Sequence, residues 1–273
     1  MKRIFLGCLF YLFLFGCTHR KMIRPGSGEL WPFDERAFRG TCALAEALAK
    51  DDRVAWHSTD SIMAEKPMRL DSLDKTWFVD VRDDKRYIFY GRYSEADDAY
   101  YPKYAFVARG SGELKRLPPV GDERARQFAR AVFAGTSFFE SLTDSMQLEV
   151  DYNHYIRKNG DGSYAMWFFP AGYGNYCAHG FDVYLTVDSA GSTVVNHTIV
   201  GKYLRYFEID KKEQRIELDN TYDAVPSLGN VFFTIMNRER FDRIVILNSG
   251  STSSMVYSPD KHEWEWVHAK RQQ

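Results

Sequence analysis

Cysteine, net charge and long apolar runs are all scarce in this 273-residue chain. It has only four cysteines, and a chain of this length can bury a sizeable core without many disulfides. The formal net charge is −1, which argues against a nucleic-acid binder because such proteins carry a strongly basic face. The longest apolar run, residues 4–15, is well short of the roughly 20 residues that a membrane-spanning helix needs.

That apolar run follows the short basic start Met-Lys-Arg and precedes a cysteine. A basic start, a brief apolar core and a small residue at the break are typical of an export signal. Residues 14–17, Leu-Phe-Gly-Cys, resemble the lipobox of bacterial lipoproteins, although Phe15 stands where a small or aliphatic residue is usual. The alternative is an ordinary secretory signal with an incidental cysteine.

The lipobox resemblance implies that residues 1–16 are a signal peptide and that the thiol of Cys17 carries a diacylglyceryl group. The new amino terminus would be acylated as well, for example with palmitate. Thr18 is not the aspartate that retains many lipoproteins at the inner membrane, so a Gram-negative cell would place the chain on the outer membrane, facing the periplasm or the surface. The membrane partner is then reached through the lipid on Cys17.

The rest of the chain divides into a tether and one or two folded units. Residues 17–33 contain two prolines and two glycines with little periodicity, which indicates a flexible tether. The double proline at 118–119 suggests a boundary between a helix-plus-meander unit, residues 34–118, and a helix-plus-antiparallel-sheet unit, residues 119–268. A single continuous domain fits the pattern as well.

Periodicity predicts helices and strands in alternating groups. Helices are expected from a cap at Asp34 to residue 49, over residues 54–64 and over residues 122–145. Period-two alternation and turn signals predict strands over 77–81, 87–90, 104–108, 148–157, 163–169, 181–187, 205–209, 215–218, 231–236, 243–247, 255–257 and 263–267. The sequence therefore predicts an α+β fold of antiparallel sheets, built from hairpins and meanders, with helices packed on one face.

Two cysteines remain once the signal peptide is removed and Cys17 is acylated, namely Cys42 and Cys177. An even pair in an exported protein predicts a disulfide, which would tie the first helix to the loop before residue 181. The alternative is two separate buried thiols that behave as small hydrophobic side chains.

The segment with the most chemistry is residues 171–182, read as a glycine-rich loop between strands. Tyr173, Tyr176 and His179 in it are our candidates for ligand binding. Cys177 and His179 could both ligate zinc, but a tetrahedral site needs further ligands, and no spacing brings His154 or His197 to them. We therefore predict neither a metal site nor a cofactor.

Motifs for nucleophilic catalysis are weak. No Gly-x-Ser-x-Gly elbow occurs. Ser-x-x-Lys spacing occurs at residues 72–75 and 258–261, yet that chemistry needs the serine at the start of a helix, and neither pattern predicts one there. The sequence names no catalytic residue.

Together these patterns favour a membrane-anchored cell-envelope lipoprotein with a non-enzymatic binding or structural role. An envelope protein or a glycan is the expected class of partner. The alternative is a cell-envelope hydrolase whose active site is assembled from distant residues. A cleft that unites Cys177 or His179 with His154 and acidic side chains would favour the hydrolase, and a tyrosine-lined face without clustered ionisable groups would favour the binder.

Overall fold

A computed structural model describes residues 33–65, 76–109, 113–148, 150–201, 203–209 and 215–271. The predicted signal peptide, the lipid-bearing Cys17 and nearly all of the predicted tether lie outside these residues. So does the Ser72–Lys75 pair. The described residues form three helices and fourteen strands, arranged in four sheets.

The first helix, α1, is Glu35–Glu65. Oδ1 of Asp34 accepts hydrogen bonds from the backbone N–H groups of Arg36 and Ala37, at 3.0 and 2.9 Å, so the predicted cap is confirmed. The prediction of two helices here was wrong, because no glycine or proline interrupts residues 49–54. The buried apolar face of α1 follows helical spacing: Phe38, Ala45, Leu48, Ala49, Ala55 and Ile62.

The first sheet is an antiparallel meander, as predicted, but it has four strands where the sequence predicted three. Its strands are β1, Thr76–Arg82; β2, Lys85–Ser94; β3, Ala99–Arg109; and β4, Glu113–Leu117. The turn between β1 and β2 consists of Asp83 and Asp84, whose φ angles are +47° and +60°. Positive φ at both central residues matches the right-handed twist of the strands that the turn joins.

The second helix, α2, is Glu123–Met146 and confirms the helix predicted over residues 122–145. Its Asp122 cap accepts the N–H of Ala125. The ring centroid of Phe128 on α2 lies 5.6 Å from that of Phe78 in the first sheet. It lies 5.4 Å from that of Tyr164, in a second sheet that follows α2 in the chain. The described residues form one compact unit, and this core is shared across the double proline at 118–119.

Residues 152–208 contain six strands: β5, Tyr152–Lys158; β6, Tyr164–Pro170; β7, Tyr176–His179; β8, Asp182–Val187; β9, Val194–Val200; and β10, Arg205–Glu208. The second sheet has the order β5-β6-β8-β9, all antiparallel. Strand β7 leaves this sheet and pairs with β10 as a separate two-stranded ribbon. Residues 171–182 are therefore only partly the loop that we predicted.

The last part of the fold contains β11, Arg215–Asn220; α3, Leu228–Asn237; β12, Arg243–Asn248; β13, Ser251–Ser258; and β14, Glu263–Lys270. The strand predicted over residues 231–236 was wrong, because these residues lie in α3. Ser227 caps this helix by accepting the N–H of Asn230. Almost every side chain of α3 is buried, so tertiary packing overrides the β-propensity of its valine and phenylalanines.

Helix α3 connects β11 to β12, which run parallel. The other strand pairs in the described residues are antiparallel, and the fold is α+β as predicted. No helix in the described part of the chain combines the length and the apolar composition needed to cross a bilayer.

Candidate functional site

A cleft of about 390 Å³ opens where the β7 ribbon meets α1, α3 and the ends of β5 and β6. This volume lies within the range of small-molecule sites. Its apolar wall is aromatic. Phe169 of β6 stacks on Phe232 of α3 with ring centroids 4.7 Å apart, and Tyr155 of β5 lies 5.3 Å from Phe232.

Asp182, the first residue of β8, lines this cleft and is only 3% exposed. Burial raises the pKa of its carboxyl to about 8. No described residue donates a hydrogen bond to it. The carboxyl packs on Gly229 in the first turn of α3, where a Cβ would lie 1.7 Å from Oδ2. A larger residue at position 229 would therefore displace this acid.

His179 ends β7 and is the candidate that the structure buries most completely in the cleft. Burial lowers the pKa of its imidazole to about 4, and the neighbouring Asn230 of α3 opposes this change. Nε2 of His179 and Oδ1 of Asn230 nevertheless have no well-formed hydrogen bond within the described residues. The ring of Phe233 stands edge-on to the imidazole, with centroids 5.0 Å apart.

Cys177 lies two residues before His179 and also lines the cleft. Its thiol donates a hydrogen bond to Oδ1 of Asn237 at 2.9 Å, and Nη1 of Arg240 lies 3.5 Å from the sulfur. Burial raises the pKa of the thiol, although Arg240 opposes this. A protonated thiol that is bonded to an amide is a poor nucleophile.

The structure does not contain the predicted Cys42–Cys177 disulfide, since both residues are free thiols. Cys177 is engaged with Asn237 at the end of α3. Cys42 lies on α1, where burial and then the nearby acids Glu46 and Glu35 raise its pKa to about 12. The alternative of two separate thiols in different surroundings is the one that the structure supports.

A second acid, Asp52 of α1, also lines the cleft. Its Oδ1 accepts the hydroxyl of Tyr155 at 2.6 Å, and burial raises its pKa. The preceding residue, Asp51, forms ion pairs with Arg86 of β2 and Arg157 of β5. These contacts tie α1 to both large sheets and hold the Asp52 side of the cleft in place.

The other predicted candidates fall partly inside the cleft. Tyr176 lines it, whereas Tyr173 bridges to Tyr176 from outside and is 81% exposed. Sequence reasoning grouped Asp182 with these residues but assigned it no role, and it missed Asp52 and Arg240. An acid at the start of an apolar strand indicates a binding site only when the structure shows that a helix buries it.

His154 does not reach this cleft. It is buried between the first two sheets, where Nε2 lies 2.8 Å from the carbonyl oxygen of Trp77. His197 lies on β9 against the ring of Phe138. Within the described residues, no group of three or more histidine, cysteine, aspartate or glutamate side chains is placed to hold a metal ion.

The described Ser-x-x-Lys pair lacks the arrangement that catalysis needs. Ser258 ends β13 rather than starting a helix, and Lys261 pairs with Glu265. Neither residue lines the cleft.

No family model, curated protein or solved structure matches this chain.

Proposed function

We propose that this chain is a membrane-anchored cell-envelope lipoprotein whose folded part binds a small molecule in the cleft between β7, α1 and α3. The observation that carries the binding role is the carboxyl of Asp182, which is buried in a cleft of about 390 Å³ and accepts no hydrogen bond from the described residues. Buried polar groups are normally paired, so a group of this kind that faces an open cleft is suited to a ligand.

The protonation states of Cys177 and His179 favour binding over hydrolysis. A cysteine hydrolase activates its thiol by a hydrogen bond to a histidine. Here the thiol of Cys177 is bonded to Asn237, and its raised pKa keeps it protonated at neutral pH. His179 is neutral at that pH because its pKa is about 4, so it is a weak base for activating a thiol.

A hydrolase is the second candidate, and one observation favours it. Cys177 and His179 lie two residues apart on β7 and line one cleft together with Asp52 and Asp182. Under this alternative, Cys177→Ser and His179→Ala would each abolish turnover of a small ester or amide. Under the binding proposal, both variants stay folded and the wild-type chain turns over neither substrate.

The lipid anchor is tested by replacing the cysteine of the lipobox-like sequence. Cys17→Ser should abolish fatty-acid labelling and release the chain from membrane fractions. Cys42→Ser is the matched control and should keep both properties, because residue 42 lies within the folded part. Unchanged labelling of Cys17→Ser would contradict the anchor.

The binding role is tested by filling the cleft without changing its charges. Ala171 lines the cleft, and Ala171→Trp would occupy the space against the aromatic wall. Ala190→Trp, in the exposed turn between β8 and β9, is the control. Thermal unfolding would be measured with panels of small amines, alcohols and carboxylates. Compounds that stabilise the wild type and Ala190→Trp, but not Ala171→Trp, support the proposal. Equal stabilisation of all three would reject it.

A further inference from the structure

The acidic and basic side chains that line the cleft differ in burial. The acids Asp52 and Asp182 are both buried, whereas Arg240, beyond the end of α3, is exposed. Asp182 packs against the first turn of α3, so the ten residues of that helix separate it from Arg240. At 1.5 Å per residue, the helix spans roughly 15 Å. The guanidinium of Arg240 contacts the sulfur of Cys177, and no cation of the described residues offsets the raised pKa of Asp182.

Three tyrosines interact with the carboxyl of Asp182, and none of them neutralises it: Tyr152 of β5, Tyr184 of β8 and Tyr222 before α3. His179 of β7 lines the same cleft, and the charge of its register partner on β10, Arg205, lowers the pKa of His179 but does not act on Asp182. The Tyr152 hydroxyl donates to the carbonyl of Phe181, and the Tyr184 hydroxyl accepts the N–H of Gly229. All three tyrosine pKa values are raised, and the pKa of His179 is about 4, so these four groups stay neutral between pH 5 and 9.

The aromatic wall suits a cation as well. Phe169, Phe232 and Tyr155 present π systems to the cleft, and ring faces attract cations most strongly where water is excluded. An ammonium group beside a buried carboxylate also recovers the charge pairing that the protein itself does not supply. A carboxylate ligand would instead face two acids in the same cleft.

We propose that the cleft binds a small organic cation, with its ammonium group against the carboxylate of Asp182 and its apolar body along Phe169, Phe232 and Tyr155. The inference rests on the proposed binding function and names the ligand class of the same site. Binding replaces the proton on Asp182 by the ammonium group, and that proton leaves to solvent. The positive end of the α3 dipole, which packs on Asp182, favours the ionised carboxylate.

The test compares three probes of similar shape: 2-phenylethylammonium, 2-phenylethanol and 3-phenylpropanoate. Each is titrated by calorimetry into the full chain in detergent. We expect the ammonium probe to bind at least tenfold more tightly than the alcohol, and the carboxylate more weakly than both. Asp182→Asn should weaken the ammonium probe at least tenfold and leave the alcohol within about twofold, because only the charged pair is lost. Asp161→Asn, in the exposed turn between β5 and β6, is the matched control and should change neither.

The pH dependence separates a cation from a neutral ligand. Below pH 8 the cation must displace the proton of Asp182, so its affinity should rise up to tenfold per pH unit and level off near pH 8. Asp182→Asn should flatten this profile. A slope that persists in this variant belongs to another group, such as Asp52, and contradicts the assignment to Asp182.

Two results of the probe comparison would also overturn the proposed ligand class: an alcohol that binds as tightly as the ammonium probe, or failure of all three probes to bind. Neither result rejects the proposed function, which the Ala171→Trp comparison tests separately.

Discussion

Two regions of this fold are stabilised in different ways. The aromatic core, formed by α2 with β1–β3, β5, β6 and β8, buries rings such as Phe139 and Phe168, which stack with centroids 4.1 Å apart. The crossover unit, formed by β11, α3, β12 and β13, buries amides and hydroxyls. Asn220, Asn230 and Asn248 are each at most 1% exposed.

The amides of the crossover unit form a continuous hydrogen-bonded chain. Nδ2 of Asn230 donates to Oδ1 of Asn220, and Nδ2 of Asn220 donates to Oδ1 of Asn248, both at 2.9 Å. Asn248 then donates to the hydroxyls of Ser251 and Ser253. Buried aromatic rings stabilise the fold mainly through the apolar area that they remove from water, whereas each buried amide needs a particular hydrogen-bond partner. The cleft lies beside the crossover unit, where these hydrogen bonds connect α3 to β11 and β12.

The largest effect should come from a cavity in the aromatic core. Phe168 is 2% exposed, so Phe168→Ala should lower the free energy of unfolding by about 3–5 kcal/mol. Val195→Ala, at a position on β9 that is 61% exposed, is the control and should stay within about 0.5 kcal/mol of wild type. Urea denaturation measures both. A loss below about 1 kcal/mol in Phe168→Ala would mean that the rings do not dominate stability.

Acid should weaken the aromatic core and the cleft beside the crossover unit through one buried histidine in each. The pKa values of His154 in the aromatic core and His179 in the cleft are both lowered to about 4 by burial. The unfolded chain takes up protons below pH 6.5, so each contribution is present above pH 6.5 and is lost as the pH falls to about 4. Each loss should be on the order of 3 kcal/mol.

Stability measured from pH 7 to pH 4 should fall less steeply in His154→Gln and in His179→Gln than in the wild type. NMR titration of the folded protein should find neither ring protonated at pH 6. A ring that titrates near pH 6.5 would identify its region as solvated and would contradict the burial that we describe.

The smallest of the three effects should come from the amide chain. Asn248→Ala removes three hydrogen bonds and should cost about 2 kcal/mol. Because its partners are connected, Asn220→Ala and Asn248→Ala should be non-additive by at least about 0.5 kcal/mol in a double-mutant cycle. Asn248→Ala and Phe168→Ala have no shared partner and should be additive. Additivity within the amide pair would show that the chain does not act as a unit.

The same contrast explains which elements could be predicted from the sequence. The aromatic core consists of hairpins with short turns and of one long helix, and local signals identify these. The helix predicted over residues 122–145 is α2, and the strands predicted over 77–81, 87–90 and 104–108 are β1, β2 and β3. The helix at residues 228–237 was missed, because valine and phenylalanine favour strands until packing on all sides decides otherwise.

The cleft was only half predictable for the same reason. Tyr176 and His179 were found because polar and aromatic side chains cluster in one short segment. The burial of Asp182 was not, since alternation along β8 directs Val183, Leu185 and Val187 to the core and leaves Asp182 on the other face. Only α3, packed on that face at Gly229, buries the acid. Asp52 was missed because paired aspartates on a helix normally face water.

The sequence by itself therefore determined the class of fold, the cap of α1, and the expectation of an anchored, exported chain. These depend on neighbours within a few residues, which periodicity and turn chemistry record. The tertiary structure alone decided that β11 and β12 run parallel, that Cys42 and Cys177 stay apart, and that Asp182 is buried without a partner. These depend on contacts between residues far apart in the chain, and burial of a charge is a property of what covers it.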